Sequence, residues 1–191
     1  MKYYPLGNLR ELINNGKADK NRYSIADDIC RGLSLIHSYG YVHSDLKSRN
    51  ILCEEWEMIS LGKTLIRAVI SDFGATRKKG EKLATYTVGF CPPETCQDLK
   101  LSFDFDIYSL GKLFIELFTK TDDIRNIDYS NFDNKFSKSD FSNHYKGSYY
   151  NARVYDLVKS CLNPVRSERP TLDTLTKFFN GAWLREIENY Q

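Results

Sequence analysis

No stretch of the 191-residue chain is apolar for the roughly 20 residues a bilayer crossing needs. The start, Met-Lys-Tyr-Tyr-Pro-Leu-Gly, lacks the apolar core of a secretory signal. Neither sign of charge dominates. The 27 Lys and Arg against 25 Asp and Glu leave +2, which gives no field to draw nucleic acid or a membrane surface, and neither partner is expected. Only three histidines occur, scattered, and the five cysteines (30, 53, 91, 96, 161) are an odd number without a C-x-x-C pair. That excludes a zinc site of ordinary spacing and argues against a disulfide framework. Reduced thiols fit a cytoplasmic protein, with a nuclear one also open. Internal repeats and linker-like stretches are missing too, so the chain reads as one domain with residues enough for a sizeable core.

Helical periodicity is the main thing present. Ile25, Ile29, Leu33 and Ile36 step by four, four and three, which predicts a helix over 23–39 with Ser24 as its cap and Gly40 as its stop. Residues 105–118 are apolar nearly all round, so that helix must be buried. Leu9, Leu12 and Ile13 share a face behind a capping Asn8. Two closing helices are predicted over 152–162 and 171–188, the second capped by Thr171 and broken at Gly181. Between them and the buried helix, residues 121–151 mix Asp, Asn, Ser and Lys with Phe and Tyr without period. They predict an irregular region with one short helix, its aromatics packed on the lobe or offered to a partner. Residues 53–64 read as a long hairpin loop connecting two strands, with a turn at Gly62 and a partly buried Trp56.

The chemistry gathers at residues 41–52, Tyr-Val-His-Ser-Asp-Leu-Lys-Ser-Arg-Asn-Ile-Leu. Short apolar strands, Tyr41-Val42 and Ile51-Leu52, bracket a polar loop. Asp45 and Asn50, five positions apart and framed on both sides, are placed to converge on one small site. This loop resembles the H-R-D-L-K-x-x-N catalytic loop of protein kinases, with Ser44 where that family has Arg. Asp72-Phe-Gly, behind an apolar strand, resembles the D-F-G element. Pro92-Pro-Glu94 resembles A-P-E, and Asp106-Ile-Tyr-Ser-Leu-Gly111 resembles the start of the large central helix of the kinase C-lobe. Arg169 lies in a segment resembling the late motif that supplies a partner for the A-P-E glutamate. The five fall in family order along nearly the whole chain.

The resemblance implies a mainly α fold, the C-terminal lobe of a protein kinase: a helical bundle with short β-hairpins at the catalytic loop. It implies a partial kinase domain over 1–191, hinge plus C-lobe, with 121–151 as an irregular, insert-like region. The N-lobe is read as absent, because no G-x-G-x-x-G and no V-A-I-K-type lysine occurs in the sequence. The implied cofactors are ATP and Mg2+, and the implied partners are a protein substrate and a kinase N-lobe or another kinase. By the same resemblance Asp45 handles the substrate hydroxyl proton, Lys47 offsets charge on the moving phosphoryl group, and Thr87 fixes both. Asn50 and Asp72 hold magnesium, and Leu52 floors the adenine site. Glu94 with Arg169 forms a buried ion pair, and Asp106 ties down the catalytic-loop backbone. Residues 75–91, with Arg77, Lys78, Lys79 and Lys82, take the place of the activation loop. Lys47 resembles serine/threonine kinases, while Ser48-Arg49-Asn50 leans toward tyrosine kinases and the Raf-like group; serine/threonine specificity is the reading favoured. Ser44 removes the cation that reads an activation-loop phosphate. The alternative function is an inactive, stand-alone C-lobe that binds or regulates another kinase.

Overall fold

The computed structural model describes residues 2–58, 62–83, 85–94, 100–141 and 149–188, with 149–151 and 186–188 as backbone only. The chain runs α1 (Leu9–Asn14), α2 (Arg22–Ser38), β1 (Tyr41–Val42), β2 (Ile51–Met58), β3 (Lys63–Ile70), β4 (Arg77–Lys78), α3 (Phe103–Thr119), α4 (Phe132–Lys135), α5 (Tyr149–Cys161) and α6 (Leu172–Glu188). The mainly α expectation holds. Two antiparallel pairs, β1 with β4 and β2 with β3, are the strands among the described residues.

Helix α3 is the central post, buried from Phe105 to Phe118. A helix apolar on all sides has no solvent face, so its polar groups must find partners inside. Lys112 Nζ donates to the Ile124 carbonyl (2.8 Å) and to that of Ile127, pinning the segment after the helix. Burial pushes the Lys112 amine down to about 8. Glu116 pairs with Arg10 of α1. Gly111 lets α5 approach: a Cβ there would lie 2.7 Å from the Cys161 Cβ. Gly111→Ala is therefore expected to cost about 1–3 kcal/mol by overpacking. A urea melt that is unchanged would show that α5 moves aside freely.

Helix α2 packs on α6 and on β3. Ile25, Ile29 and Leu33 are fully buried, as their spacing predicts, and Gly40 ends the helix at φ +79°. Ser24 is not the cap. The helix starts two residues earlier, behind a 3-10 turn at Asp19–Asn21, and the Ser24 hydroxyl donates to the Asn21 carbonyl (2.9 Å). That turn had no periodic signal to announce it. Asn8 does cap α1, accepting from the Glu11 amide (3.2 Å), and the Thr171 hydroxyl accepts from the Thr174 amide (3.2 Å) at the start of α6. Gly181 does not break α6, which runs through it.

The hairpin expected at 53–64 is present, but most of its expected long loop is strand. β2 and β3 are eight residues each and pair from Ile51 with Ile70 to Met58 with Lys63. The acids Glu54, Glu55 and Glu57 hid the strand, since they break apolar alternation. They are tolerated because this end of the hairpin stands clear of the core: Glu55 and Glu57 are exposed, and Glu54, on the other face, lies opposite Arg67 and bonds Lys2 (2.7 Å). Trp56 is half-exposed. Within 121–151 the described part holds one short helix, α4, as expected. Phe132, Phe136, Phe141 and Tyr155 form a ring cluster there, with Phe132 and Phe141 fully buried, so these aromatics pack inward. Tyr145, Tyr149 and Tyr150 lie outside the described side chains. Cys30, Cys53, Cys91 and Cys161 are free thiols, and Cys96 lies outside the described residues.

One carboxylate is held against its preference. Burial pushes Asp28 up to about 6 from an ordinary 3.8, although its Oδ2 accepts from the Ala68 amide (2.9 Å). A raised carboxyl favours the protonated fold, so its contribution is whole below 3.8 and lost as pH rises through about 6. Asp28→Asn is expected to stabilise the protein at pH 7.5 by about 1–3 kcal/mol, with the gain gone by roughly pH 4. Equal melting curves at both pH values would show that Asp28 is well solvated.

Candidate active site

The polar loop is clasped from below before it does anything else. Asp106, in the first turn of α3 and fully buried, accepts from the His43 amide (2.8 Å) and the Ser44 amide (2.9 Å). His37, from the last turn of α2, reaches the same carboxylate through Nε2 (2.8 Å) and stacks on Phe103. Ser44 sits at φ +70°, a left-handed conformation that a non-glycine residue adopts only when its neighbours hold it there. Two amides pointing at one carboxylate supply that hold. Ser44 is buried and its hydroxyl turns back to the Val42 carbonyl, so no cation stands at this position.

His43 joins the loop to the segment before Asp72. Its Nε2 bonds the Ser71 carbonyl (3.0 Å), and a carbonyl only accepts, so that nitrogen carries the proton. Nδ1 is then the acceptor for the Asp45 amide (3.4 Å). The Asn50 carbonyl takes both the amide and the hydroxyl of Ser71, each at 2.8 Å. Asp72 therefore follows directly on a residue bonded to both ends of the loop.

Above this base four of the six expected site residues meet. The Asp45 carboxylate accepts from Lys47 Nζ (2.7 Å), from the Thr87 hydroxyl (2.5 Å) and from Asn50 Nδ2 (3.1 Å). Lys47 also donates to Thr87 (2.9 Å), closing a triangle, and Asn50 Nδ2 donates again to the Asp45 carbonyl (2.9 Å). Partial burial alone would raise the Asp45 carboxyl. The hydrogen bonds from Lys47 and Thr87 and the lysine charge outweigh it and hold the group below the usual carboxylate range. Asp72 stands at φ +60°, exposed, its Oδ1 accepting from the Gly74 amide (3.3 Å). Phe73 beside it meets the His43 ring edge-on and is otherwise open to solvent. Leu52 is outside the cluster, half-buried on β2, where its backbone bridges to Asn8.

The supporting pairs are in place. Arg169 grips Glu94 with both terminal nitrogens (2.8 and 2.9 Å) and also bonds the carbonyls of Asn163 and Asp104. Arg166 joins the same group by pairing with Asp104 (2.5 Å). Part of the basic run at 77–82 is structural, because Arg77 and Lys78 form β4 and pair with β1. Sequence reading missed His37, His43, Ser71 and Arg166. His43 alone had a local signal, two residues before Asp45; the others act across spans that no spacing reveals.

A mainly α lobe carrying a polar loop clasped to a buried central helix is the build of a protein-kinase-like domain. The model of the protein kinase domain family matches residues 1–183, and the chain belongs to that family. Among curated relatives it is 28% identical over 189 residues to the probable serine/threonine-protein kinase irlA of Dictyostelium discoideum, covering 88% of this chain and 12% of that protein. It is 28% identical over 165 residues to the serine/threonine-protein kinase Nek9 of Xenopus laevis, covering 82% and 16%. With the calmodulin-binding receptor-like cytoplasmic kinase 3 of Arabidopsis thaliana it shares 31% over 132 residues, 61% of this chain and 24% of the other. The chain thus spans less than a quarter of the length of each. No helix among the described residues is long and apolar enough to cross a membrane.

Proposed function

We propose that the chain is the C-terminal lobe of a serine/threonine protein kinase, transferring the γ-phosphoryl group of ATP to a Ser or Thr hydroxyl of a protein. The observation that carries this is the Asp45 carboxylate held at once by Lys47, Thr87 and Asn50. Phosphoryl transfer asks the protein for positioning and charge neutralisation rather than covalent chemistry. Asp45 receives and orients the substrate hydroxyl. Lys47, 2.7 Å from it, offsets charge on the group in transit, and Thr87 keeps both side chains in register.

The donor set fits magnesium. Mg2+ prefers a few hard oxygens completed by phosphates and water. Asn50 uses its amide nitrogen on Asp45, which leaves its amide oxygen as the ligand, and Asp72 offers an exposed carboxylate. Bound there, the ion would neutralise phosphate charge. Leu52 would floor the adenine from β2. The lysine two positions after Asp45, bridging it to Thr87, supports serine/threonine over tyrosine, as do the names of the first two relatives.

A second reading, an inactive lobe that binds another kinase, has one observation in its favour. The rings of Phe73 and Tyr3 are 55% and 81% exposed, which leaves apolar surface for another lobe to cover. Labelled ATP and magnesium with a mixed Ser, Thr and Tyr peptide set, given to the full-length protein, separate the readings. Label is expected on Ser and Thr; label on Tyr alone overturns the specificity, and no transfer beside intact folding favours the binding lobe. The 191-residue chain by itself is expected to show no magnesium-ATP thermal shift, since half the nucleotide enclosure would be missing. A clear shift abolished by Asp72→Ala would overturn the lobe-only reading.

A further inference from the structure

Away from the catalytic cluster a cavity of about 290 Å3 opens between α2, the β2–β3 hairpin and α6, and shares no residue with that cluster. Its volume is at the lower end for small-ligand sites. The walls are apolar, with Leu65 and Ile66 from β3, and both tryptophans of the chain, Trp56 and Trp183, line it. Two consecutive acids on α2 complete it. Asp27 has a side chain only 4% exposed; its Oδ2 takes Arg31 Nε (2.8 Å) and Asn180 (3.5 Å), but its buried Oδ1 has no hydrogen-bond partner among the described residues. A buried carboxylate oxygen without a donor has lost its water and gained nothing in return. Asp28, beside it, is the carboxylate that burial and the Asp27 charge push up to about 6. The two acids are matched in number by Arg31 and Arg67, so what is left unanswered is the Asp27 Oδ1 lone pair rather than net charge. Arg31 and Arg67 are exposed at the mouth, where they repel a second positive charge.

We propose that this cavity binds a single alkylammonium group, its charged head donating toward the Asp27 carboxylate and its hydrocarbon stem lying between Trp56 and Trp183. Aromatic faces attract cations and cover alkyl stems, so the tryptophans serve both ends of such a ligand. The shared chemistry has two sources, a free monoamine or a lysine side chain of a protein.

Intrinsic tryptophan fluorescence reports this site alone, because both tryptophans line it. Hexylamine is expected to change the emission saturably and to raise the melting temperature. 1-Hexanol, with the stem but no charge, is expected to bind about tenfold more weakly or worse, a difference of roughly 1.4 kcal/mol. Cadaverine should also lose to hexylamine because of the arginines at the mouth. Nα-acetyl-lysine amide tests the second source: matching hexylamine assigns the site to a protein side chain, and failing beside it assigns a free amine. Asp27→Asn should reduce hexylamine affinity by about tenfold. If that variant does not fold, Trp56→Ala, on the half-exposed hairpin, should weaken binding while melting normally. Hexanol binding as well as hexylamine, or no saturable change with any amine at millimolar concentration, overturns the proposal.

Discussion

Asp106→Ala is expected to lower the unfolding free energy by about 3–5 kcal/mol, among the larger effects a single substitution produces. The side chain is fully buried and accepts two backbone amides, from His43 and Ser44, besides His37. Alanine leaves both amides buried without an acceptor, at about 1–3 kcal/mol each. It also releases Ser44 from its left-handed conformation, so the loop relaxes and displaces Asp45. Asp106→Asn separates charge from shape. It keeps one acceptor oxygen but turns an NH2 toward the other amide, so it should fall between wild type and alanine. Urea melts of the three proteins check the order. A loss below about 1 kcal/mol for alanine would mean that water replaces the carboxylate and that the loop holds itself.

How much of this was legible beforehand depends on distance along the chain. Asp45, Lys47 and Asn50 lie within six positions, and the apolar pairs on either side announced a framed loop. Ile25, Ile29 and Leu33 declared α2 through a period that burial enforces. Thr87 is 42 positions from Asp45 and Asp106 is 63 from His43, and no local pattern links them. They were read only because the chain resembles a family in which such partners recur. Where that guide was silent, long-range partners stayed hidden: His37 with Asp106, Arg166 with Asp104, Arg10 with Glu116. The length of the β2 and β3 strands was misjudged for a different reason. The outer end of the hairpin stands clear of the core, so acids are accepted there on both faces, and Glu54, Glu55 and Glu57 look like loop when the opposite strand is unknown. Exposed glutamates weaken intrinsic strand preference, but cross-strand partners override it.

Asp45→Asn is expected to reduce phosphoryl transfer by about 10^3-fold, within the 10^2–10^4 that a positioned proton-handling group contributes, while changing stability little. The geometry argues for this split. Asparagine keeps one acceptor oxygen for Lys47, the Thr87 hydroxyl can turn to accept from the new NH2, and the side chain is not fully buried. The hydroxyl to be phosphorylated loses its anion. Because Lys47 and Thr87 hold the carboxyl below its usual range, Asp45 is ionised throughout the neutral region. On the proposed reading, a weak base of this kind would align the hydroxyl and take its proton late, once bond formation to phosphorus has made that hydroxyl acidic. The rate should therefore show no Asp45 limb near neutral pH. The depressed carboxyl also stabilises the fold above its unfolded pKa, and that contribution is lost as pH falls through the lower folded value. The acid limb of stability should thus flatten in the asparagine variant. Measured with the full-length protein, kcat should fall and the KM for ATP stay within a few-fold, since Asn50 keeps its bond to the backbone carbonyl of residue 45 and Asp72 is unchanged. A variant that keeps a tenth or more of the wild-type rate would assign the hydroxyl to another residue and leave Asp45 as a strut for Lys47 and Thr87.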